Sequence, residues 1–407
     1  NREIKKLLNE ETYIVEILQK GSDKANEKGS KTLAEVYKNI FQAGKWMGIF
    51  QFTEKGAQEF CKKAKPKNLI DISAITSIYR PGPLGADVDK SYVDAKRDPG
   101  SVEYINKLVK DVTKETYGFL IFQEQIALLA HKLGKDISLD EGNALRKYLT
   151  KKGSGDATKK KEKIYSKFVE GCIEKKLSMG QADKLWQTFE YFSGYGFNKS
   201  HSAAYAVVSY QTLWLKQHFP APFMAAVLTS DMQTTDKVVV FIEECREMGI
   251  ELILPDVNQS QYGFTVNDDD AIVYGLGAVK GVGEGPIDAI IAARKDGPFR
   301  DMFDFCKRVD PKKINKRVME ALVRCGAFDR LEYTAPRSVL MASIEDAIKA
   351  ANQSAANEAA GMFDMFGEVE AEEAVTGDVY ERHRRLRDWS LKERLQGEKD
   401  TLGLFVT

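Results

Sequence analysis

The sequence predicts a mainly α-helical chain of several domains, with β structure limited to one short hairpin. Three observations carry this expectation. The chain has 407 residues, and at roughly 100–200 residues per domain that length divides into two to four units. Apolar residues recur at helical spacing in 123–133, 164–175, 182–191 and 200–218, separated by Gly, Pro or Lys-rich breaks. Only the stretch from 250 to 274 carries strand-like runs, and there Asn267-Asp-Asp-Asp270 supplies the turn residues of a hairpin.

Taken in order, residues 1–45 are Lys/Glu-rich, with breaks at Gly21-Ser-Asp and Lys28-Gly-Ser-Lys, and read as two short helices around a loop. A mostly helical domain follows from 46 to 230. Its longest helix runs from about Ser200 to His218 and stops at Phe219-Pro220, because proline lacks the N–H donor and disfavours helix in the residue before it. Tyr205, Val208, Thr212, Leu215 and Phe219 step by three and four along it, which predicts one packed face. A second domain, 231–335, opens with a helix around Lys237–Met248. It continues through strands near 250–254, 262–266 and 271–274. Residues 336–380 are a helix and a linker poor in large aliphatics, and 381–407 return to ordered texture as the approach to a further domain. The chain starts at Asn1, as expected for a fragment or one piece of a split protein.

Lysine plus arginine equals aspartate plus glutamate at 60 each, so no global basic field points to a polyanionic partner. Any such partner is held by local patches. Five cysteines without CxxC spacing and four histidines give neither a disulfide framework nor a zinc constellation, and fit a reducing cytoplasm. Neither a signal peptide nor a membrane partner is expected, because no run reaches the ~18 consecutive apolar residues of a span.

Three stretches have the residue types for binding. Arg146, Lys147, Lys151 and Lys152 fall within two helical turns and can converge on phosphates, or can simply be a solvated face. Tyr195-Gly-Phe-Asn-Lys-Ser-His201 delivers Asn198, Lys199 and His201 to the start of the long helix, where N–H groups and the helix dipole suit an anion. His201 and Tyr205 are four apart and share a face; the plainer alternative is a helix-start histidine and a core tyrosine. The third, Gly275-Leu-Gly277-Ala-Val-Lys280-Gly281-Val282-Gly283-Glu-Gly285-Pro286, lacks the βαβ context of a dinucleotide site. It is the pattern of a helix-hairpin-helix, whose N–H groups hold a DNA phosphate without reading sequence. Lys312, Lys313 and Lys316 can extend that surface; a turn that needs glycine only for packing is the alternative. Asp87-Val-Asp89 sits in a loop rather than an apolar strand, so it is not expected to hold metal ions, and no Ser-His-Asp or Cys-His arrangement is evident.

The order of several motifs resembles the C-family of bacterial replicative DNA polymerases, the family of the polymerase III alpha subunit. They are Gly48-Ile-Phe-Gln51-Phe, Tyr79-Arg80-Pro-Gly-Pro83, Tyr117 through Gln125, Leu145-Arg146-Lys147, Tyr195 through Trp214, Val273 through Pro286 and Cys325-Gly-Ala-Phe-Asp329. The resemblance implies a fingers domain over 46–230 and, over 231–335, a helix-hairpin-helix domain leading to a sliding-clamp contact. It implies an incoming dNTP near Arg146, Lys147, Lys151, Lys152, Asn198, Lys199, His201 and Tyr205. Primer-template DNA is implied near Arg80, Lys280, Gly281, Val282, Gly283, Gly285, Lys312, Lys313 and Lys316. Met362, Asp364, Met365 and Phe366 stand where the family binds the clamp, but the Gln that usually begins that motif is absent. The family's palm, whose aspartates hold Mg²⁺ for two-metal nucleotidyl transfer, has no counterpart in 1–45, so palm and metal are expected outside this chain, alongside other replisome subunits. Two alternatives are a non-catalytic DNA-binding or replisome-scaffold protein that keeps the fingers fold, and a lesion-tolerant relative.

Overall fold

The computed structural model describes residues 43–85, 87–150, 155–193, 196–359 and 379–405, with the single positions 31, 35, 39 and 40. The chain divides into two compact units, 1–217 and 218–407. The division falls at the end of the long helix rather than near 230.

In the first unit, α1 (Lys55–Ala64), α2 (Leu69–Ile78), α3 (Pro81–Gly85) and α4 (Val88–Arg97) precede α5 (Lys107–Thr113) and α6 (Gln123–Leu133). They are followed by α7 (Leu139–Thr150), α8 (Gly155–Glu174), α9 (Met179–Ser193) and α10 (Lys199–His218). The helical periodicity seen in the sequence becomes a core among α5–α9, where Ile126, Leu129, Leu133, Leu145, Phe168, Trp186 and Phe189 meet. Gly171 of α8 lies where the backbone of 133–135 crosses, and a Cβ there would stand 2.2 Å from the Lys135 nitrogen. Only glycine fits such an approach.

A second cluster, polar this time, ties α2 to α4. Buried Lys96 donates to buried Asp71 and, at 3.2 Å, to the Tyr117 hydroxyl. Asp71 also accepts from the Lys67 N–H at 2.7 Å and lies 3.4 Å from the Tyr117 hydroxyl and 3.5 Å from that of Tyr92. Burial, with the Asp71 carboxylate beside it, pushes the Tyr117 hydroxyl up to about 12.

The long helix is rotated relative to the sequence expectation. Ser202, Ala206, Ser209, Leu213 and Lys216 are its buried residues. Tyr205 (37 % exposed), Val208 (40 %), Leu215 (43 %) and Phe219 (50 %) are not packed away. Directional polar contacts explain the rotation. The Ser202 hydroxyl lies 2.7 Å from those of Ser73 and Ser77 and donates to the Ser73 carbonyl at 2.9 Å. Ser209 donates to the Phe50 carbonyl at 3.1 Å, Thr212 accepts from the Phe50 N–H at 3.3 Å, and the Lys216 ammonium donates to the carbonyls of Lys45 and Met47. A buried ammonium needs such acceptors, so the polar edge faces inward.

In the second unit, α11 (Pro220–Ser230) and α12 (Thr235–Glu247) lead into a three-stranded sheet, β1 (Leu252–Ile253), β2 (Thr265–Val266) and β3 (Ile272–Val273). The β2–β3 pair is the expected antiparallel hairpin, and β1 adds in parallel on the other side of β3. The Asn267 side chain accepts from the N–H groups of Asp269 and Ala271 and so closes the turn, with Asp270 in the left-handed region at φ 58°. Next come α13 (Glu284–Ala293), α14 (Met302–Arg308), α15 (Lys316–Arg324), α16 (Arg337–Ala359) and α17 (Leu391–Leu402). α16 packs on α14 and α15, and α17 packs on α15. Arg337, 3 % exposed, pins this region: it donates to Asp329 at 2.6 Å, to Glu398 at 3.2 Å and to the Arg324 carbonyl at 3.2 Å. The mainly α class with one short hairpin is the fold that is found.

Candidate functional site

The start of α10 is built from two distant segments. Phe122 and Phe197 form a single parallel bridge, in which Phe197 N–H donates to the Ile121 carbonyl at 3.0 Å and Gln123 N–H to that of Phe197 at 2.9 Å. The bridge lays the N-terminus of α6 beside the N-terminus of α10. Buried Gln125 fixes the approach, because its side-chain oxygen accepts from the N–H groups of Ile121 and Phe122.

Side chains of the first site converge there. Gln123 donates to the Gly196 carbonyl at 2.8 Å and accepts from Arg146 at 2.9 Å, which brings the guanidinium of α7 to the 196–198 turn. Asn198 caps α10 by accepting from the His201 N–H at 2.8 Å. Phe50, Tyr205, His201 and Phe197 form a ladder with ring centroids 5.1, 4.1 and 5.4 Å apart. The Arg80 guanidinium lies 4.4 Å over the Phe197 ring, and burial lowers its pKa from the ordinary value. Arg80, expected among the DNA contacts, lies at the α10 turn. Phe50, from the Gly48–Phe52 motif, was not among the expected site residues, because only the helix about 150 positions later brings it there.

One expectation is reversed. The helix start was read as an open anion site, yet the protein's own carboxylate occupies it. Glu124 accepts from the Lys199 N–H at 2.9 Å and from the Asn198 side-chain amide at 2.8 Å. Lys199 is itself engaged, with Glu115 at 3.0 Å. The positive end of the dipole is thus already answered, while Arg146 is half-buried against Gln123 and Lys147 is exposed on the same helix. Lys151 and Lys152 lie outside the described residues.

The second site is in the other unit. Gly281 has φ +92°, which only glycine adopts without strain. Val282 is buried beneath it, and Gly283 is the exposed N-cap of α13, without a side-chain cap. The helix expected before this turn is a single 3₁₀ turn, Leu276–Ala278. Lys313 Cδ reaches to 3.9 Å from the Cβ position of Gly285. A cleft of about 530 Å³ runs alongside, lined by Gly285, Asp288, Ala289, Arg308, Asp310 and Lys313 among others. Lys280, Lys312 and Lys313 are exposed; Lys316 is exposed too but ion-paired with Glu345 at 2.7 Å. Arg308, which the sequence reading passed over, stacks on Phe299 and donates to the carbonyls of Ala293 and Gly297.

Among the described residues no three His, Cys, Asp or Glu side chains are grouped so as to hold a metal ion. Asp87 stands at the N-cap position of α4 without a side-chain cap bond and pairs with Lys90 at 2.8 Å. This donor set does not fit a two-Mg²⁺ centre. Met362, Asp364, Met365 and Phe366 fall outside the described residues. Among those described, no helix is long and apolar enough to cross a membrane.

Residues 15–175 match the model of the bacterial DNA polymerase III alpha subunit finger domain, and residues 249–338 match that of a helix-hairpin-helix motif. The chain is 46 % identical over 388 residues to the DNA polymerase III subunit alpha of Pseudomonas aeruginosa, covering 91 % of this chain and 32 % of the relative. The proteins of the same name from Vibrio cholerae and Escherichia coli are each 43 % identical, over 92 % and 91 % of this chain and 32 % of each relative. The chain therefore spans about a third of the length of the curated relatives it matches.

Proposed function

Because this chain belongs to the DNA polymerase III alpha subunit family, we propose that it is the part of a replicative DNA polymerase that holds the incoming dNTP and the primer-template DNA. The observation that carries the reading is the Phe122–Phe197 bridge, which brings Arg146, Asn198, His201 and Tyr205 to one turn from two separate helices and a loop.

In this reading Arg146 and Lys147 neutralise the triphosphate, with Lys151 and Lys152 as further cations from the same segment. His201 and Tyr205 line the nucleotide site with tilted aromatic rings, and Arg80 completes its far end. Lys199 and Asn198 shape the turn through Glu115 and Glu124 rather than touching phosphate. The Gly281-Val282-Gly283 turn, with Lys280, Lys312 and Lys313, holds DNA backbone without reading sequence. Palm carboxylates supplied in the same or a second chain would hold the Mg²⁺, which would supply Lewis-acid chemistry for nucleotidyl transfer. The residues described here bind and orient. Contact with a sliding clamp through 362–366 and with other replisome subunits belongs to the same proposal.

The test is steady-state kinetics of the palm-complete enzyme with Arg146→Ala and Lys147→Ala combined. Losing charged hydrogen bonds worth about 1.5–3 kcal/mol each raises the apparent KM for dNTP by roughly tenfold or more. Unchanged dNTP kinetics in that variant would sink the assignment.

A further inference from the structure

The region 379–405 carries a feature that neither site absorbs. It holds seven Lys and Arg residues against five carboxylates, and the structure ties up four of those five. Asp388 accepts from the Trp389 N–H at 2.7 Å. Glu393 closes the capping box of α17 with Ser390. Glu398 is buried against Arg337, and Asp400 faces Arg324 at 3.8 Å and accepts from Gln396 at 2.8 Å. The cations are placed differently. Arg382 is held by Asp346, but Arg385 and Arg387 are exposed on the turn before α17, and Lys392 and Lys399 are exposed along it. Lys392 and Lys399 are seven residues apart and so share a face. The opposite face, with Gly397, Glu398, Thr401 and Leu402, is the buried one.

The direction of α17 gives these charges a meaning. Its C-terminus abuts the hairpin: the Lys280 N–H donates to the Thr401 carbonyl at 2.8 Å, and the Lys280 ammonium lies 3.9 Å from the Cβ position of Gly403, the helix C-cap. At 1.5 Å per residue the helix carries the surface about 17 Å from that point to the arginine turn. Along one DNA strand this is about five nucleotide steps at ~3.4 Å each.

We propose that Arg385, Arg387, Lys392 and Lys399 continue the phosphate track that begins at Lys280, so that nucleic-acid backbone held at the hairpin runs on along α17. The inference rests on the reading of the hairpin as a backbone-binding element. The partner is a phosphodiester backbone rather than an acidic protein, because the cations are spaced along a line that starts at a phosphate-binding turn. Recognition is independent of sequence, since the groups are point charges and forks that pair with phosphate oxygens.

Anisotropy of a labelled duplex of about 20 base pairs, titrated with the whole chain between roughly 50 and 300 mM NaCl, tests this through the salt slope. Arg385→Ala/Arg387→Ala/Lys392→Ala is expected to lower the slope magnitude by about 2.7, at ~0.9 per lost phosphate contact. Arg385→Lys/Arg387→Lys/Lys392→Arg is expected to keep the parent slope. Lys280→Ala/Lys313→Ala reports on the hairpin and is expected to lower the slope by about 2. If the alanine triple variant keeps the parent slope while the hairpin variant loses it, the track is overturned and the hairpin reading stands; an acidic protein partner would give this result. If neither variant changes the slope, both fall. If the charge-conserving variant loses slope as well, the effect is structural and the track is overturned.

Discussion

Exchanging Glu124 for Gln probes the start of α10 without changing its shape. The Glu124 carboxylate accepts two donors, the Lys199 N–H and the Asn198 amide. A glutamine keeps one acceptor and turns the other oxygen into an NH₂ group, so whichever way it flips a donor faces a donor. One charge-assisted bond, worth about 1.5–3 kcal/mol, is lost and the other becomes neutral. The site is partly exposed, which trims the cost to about 2 kcal/mol. For a unit of this size that lowers Tm by about 4–8 °C. Asn198→Asp alone should also destabilise, because two carboxylates then meet. The pair Glu124→Gln/Asn198→Asp reverses the polarity of the contact: the glutamine amide donates to the introduced carboxylate while its oxygen still accepts from Lys199, and the aspartate side chain still caps the His201 N–H. The double variant should regain most of the loss, giving a favourable coupling of at least about 1 kcal/mol in the cycle. Thermal unfolding followed by circular dichroism on the four proteins measures it. Strict additivity of the two single effects would refute the claim that an internal carboxylate answers this helix terminus.

Two further outcomes follow from the buried ion pairs. Asp71→Asn leaves the Lys96 ammonium buried beside a neutral amide, and breaking such a pair costs about 3–5 kcal/mol; chemical denaturation should show the loss, with Asp71→Asn/Lys96→Met recovering a substantial part. Gly326 has φ +83°, and its Cβ position lies 2.3 Å from an Arg337 guanidinium nitrogen. Gly326→Ala therefore displaces the arginine from Asp329 and Glu398 and should cost about 3 kcal/mol or more, and a melting temperature within a degree of the parent would contradict that account.

Local pattern carried much of the architecture. The helices at 123–133 and 200–218 follow from apolar spacing and from Pro220, and the β2–β3 turn from the run Asn267 to Asp270. The glycine pattern at 281–283 likewise marked the turn that the structure bends there, because a left-handed φ leaves a signature in residue type. The parts that were not legible depend on tertiary pairing. Nothing near Glu124 announces that it caps a helix 75 residues later, since that follows from one bridge between Phe122 and Phe197. The rotation of α10 was misread because apolar spacing scores Val208 and Leu215 above Ser202 and Ser209, whereas hydroxyl geometry outweighs them here. The arginine turn at 385–387 reads in sequence as one more charged run, until its neighbouring carboxylates are seen to be committed elsewhere.

The inward polar edge of α10 has an evolutionary corollary. A helix seated by greasy packing can slide or roll by small amounts as its side chains change size, but one keyed by Ser202, Ser209, Thr212 and Lys216 accepts only one angle and one register. Its outer residues are thereby released from any part in holding the fold. Tyr205, Val208 and Leu215 can be exchanged to suit what they meet, while the four keys keep the aromatic ladder aimed where it is.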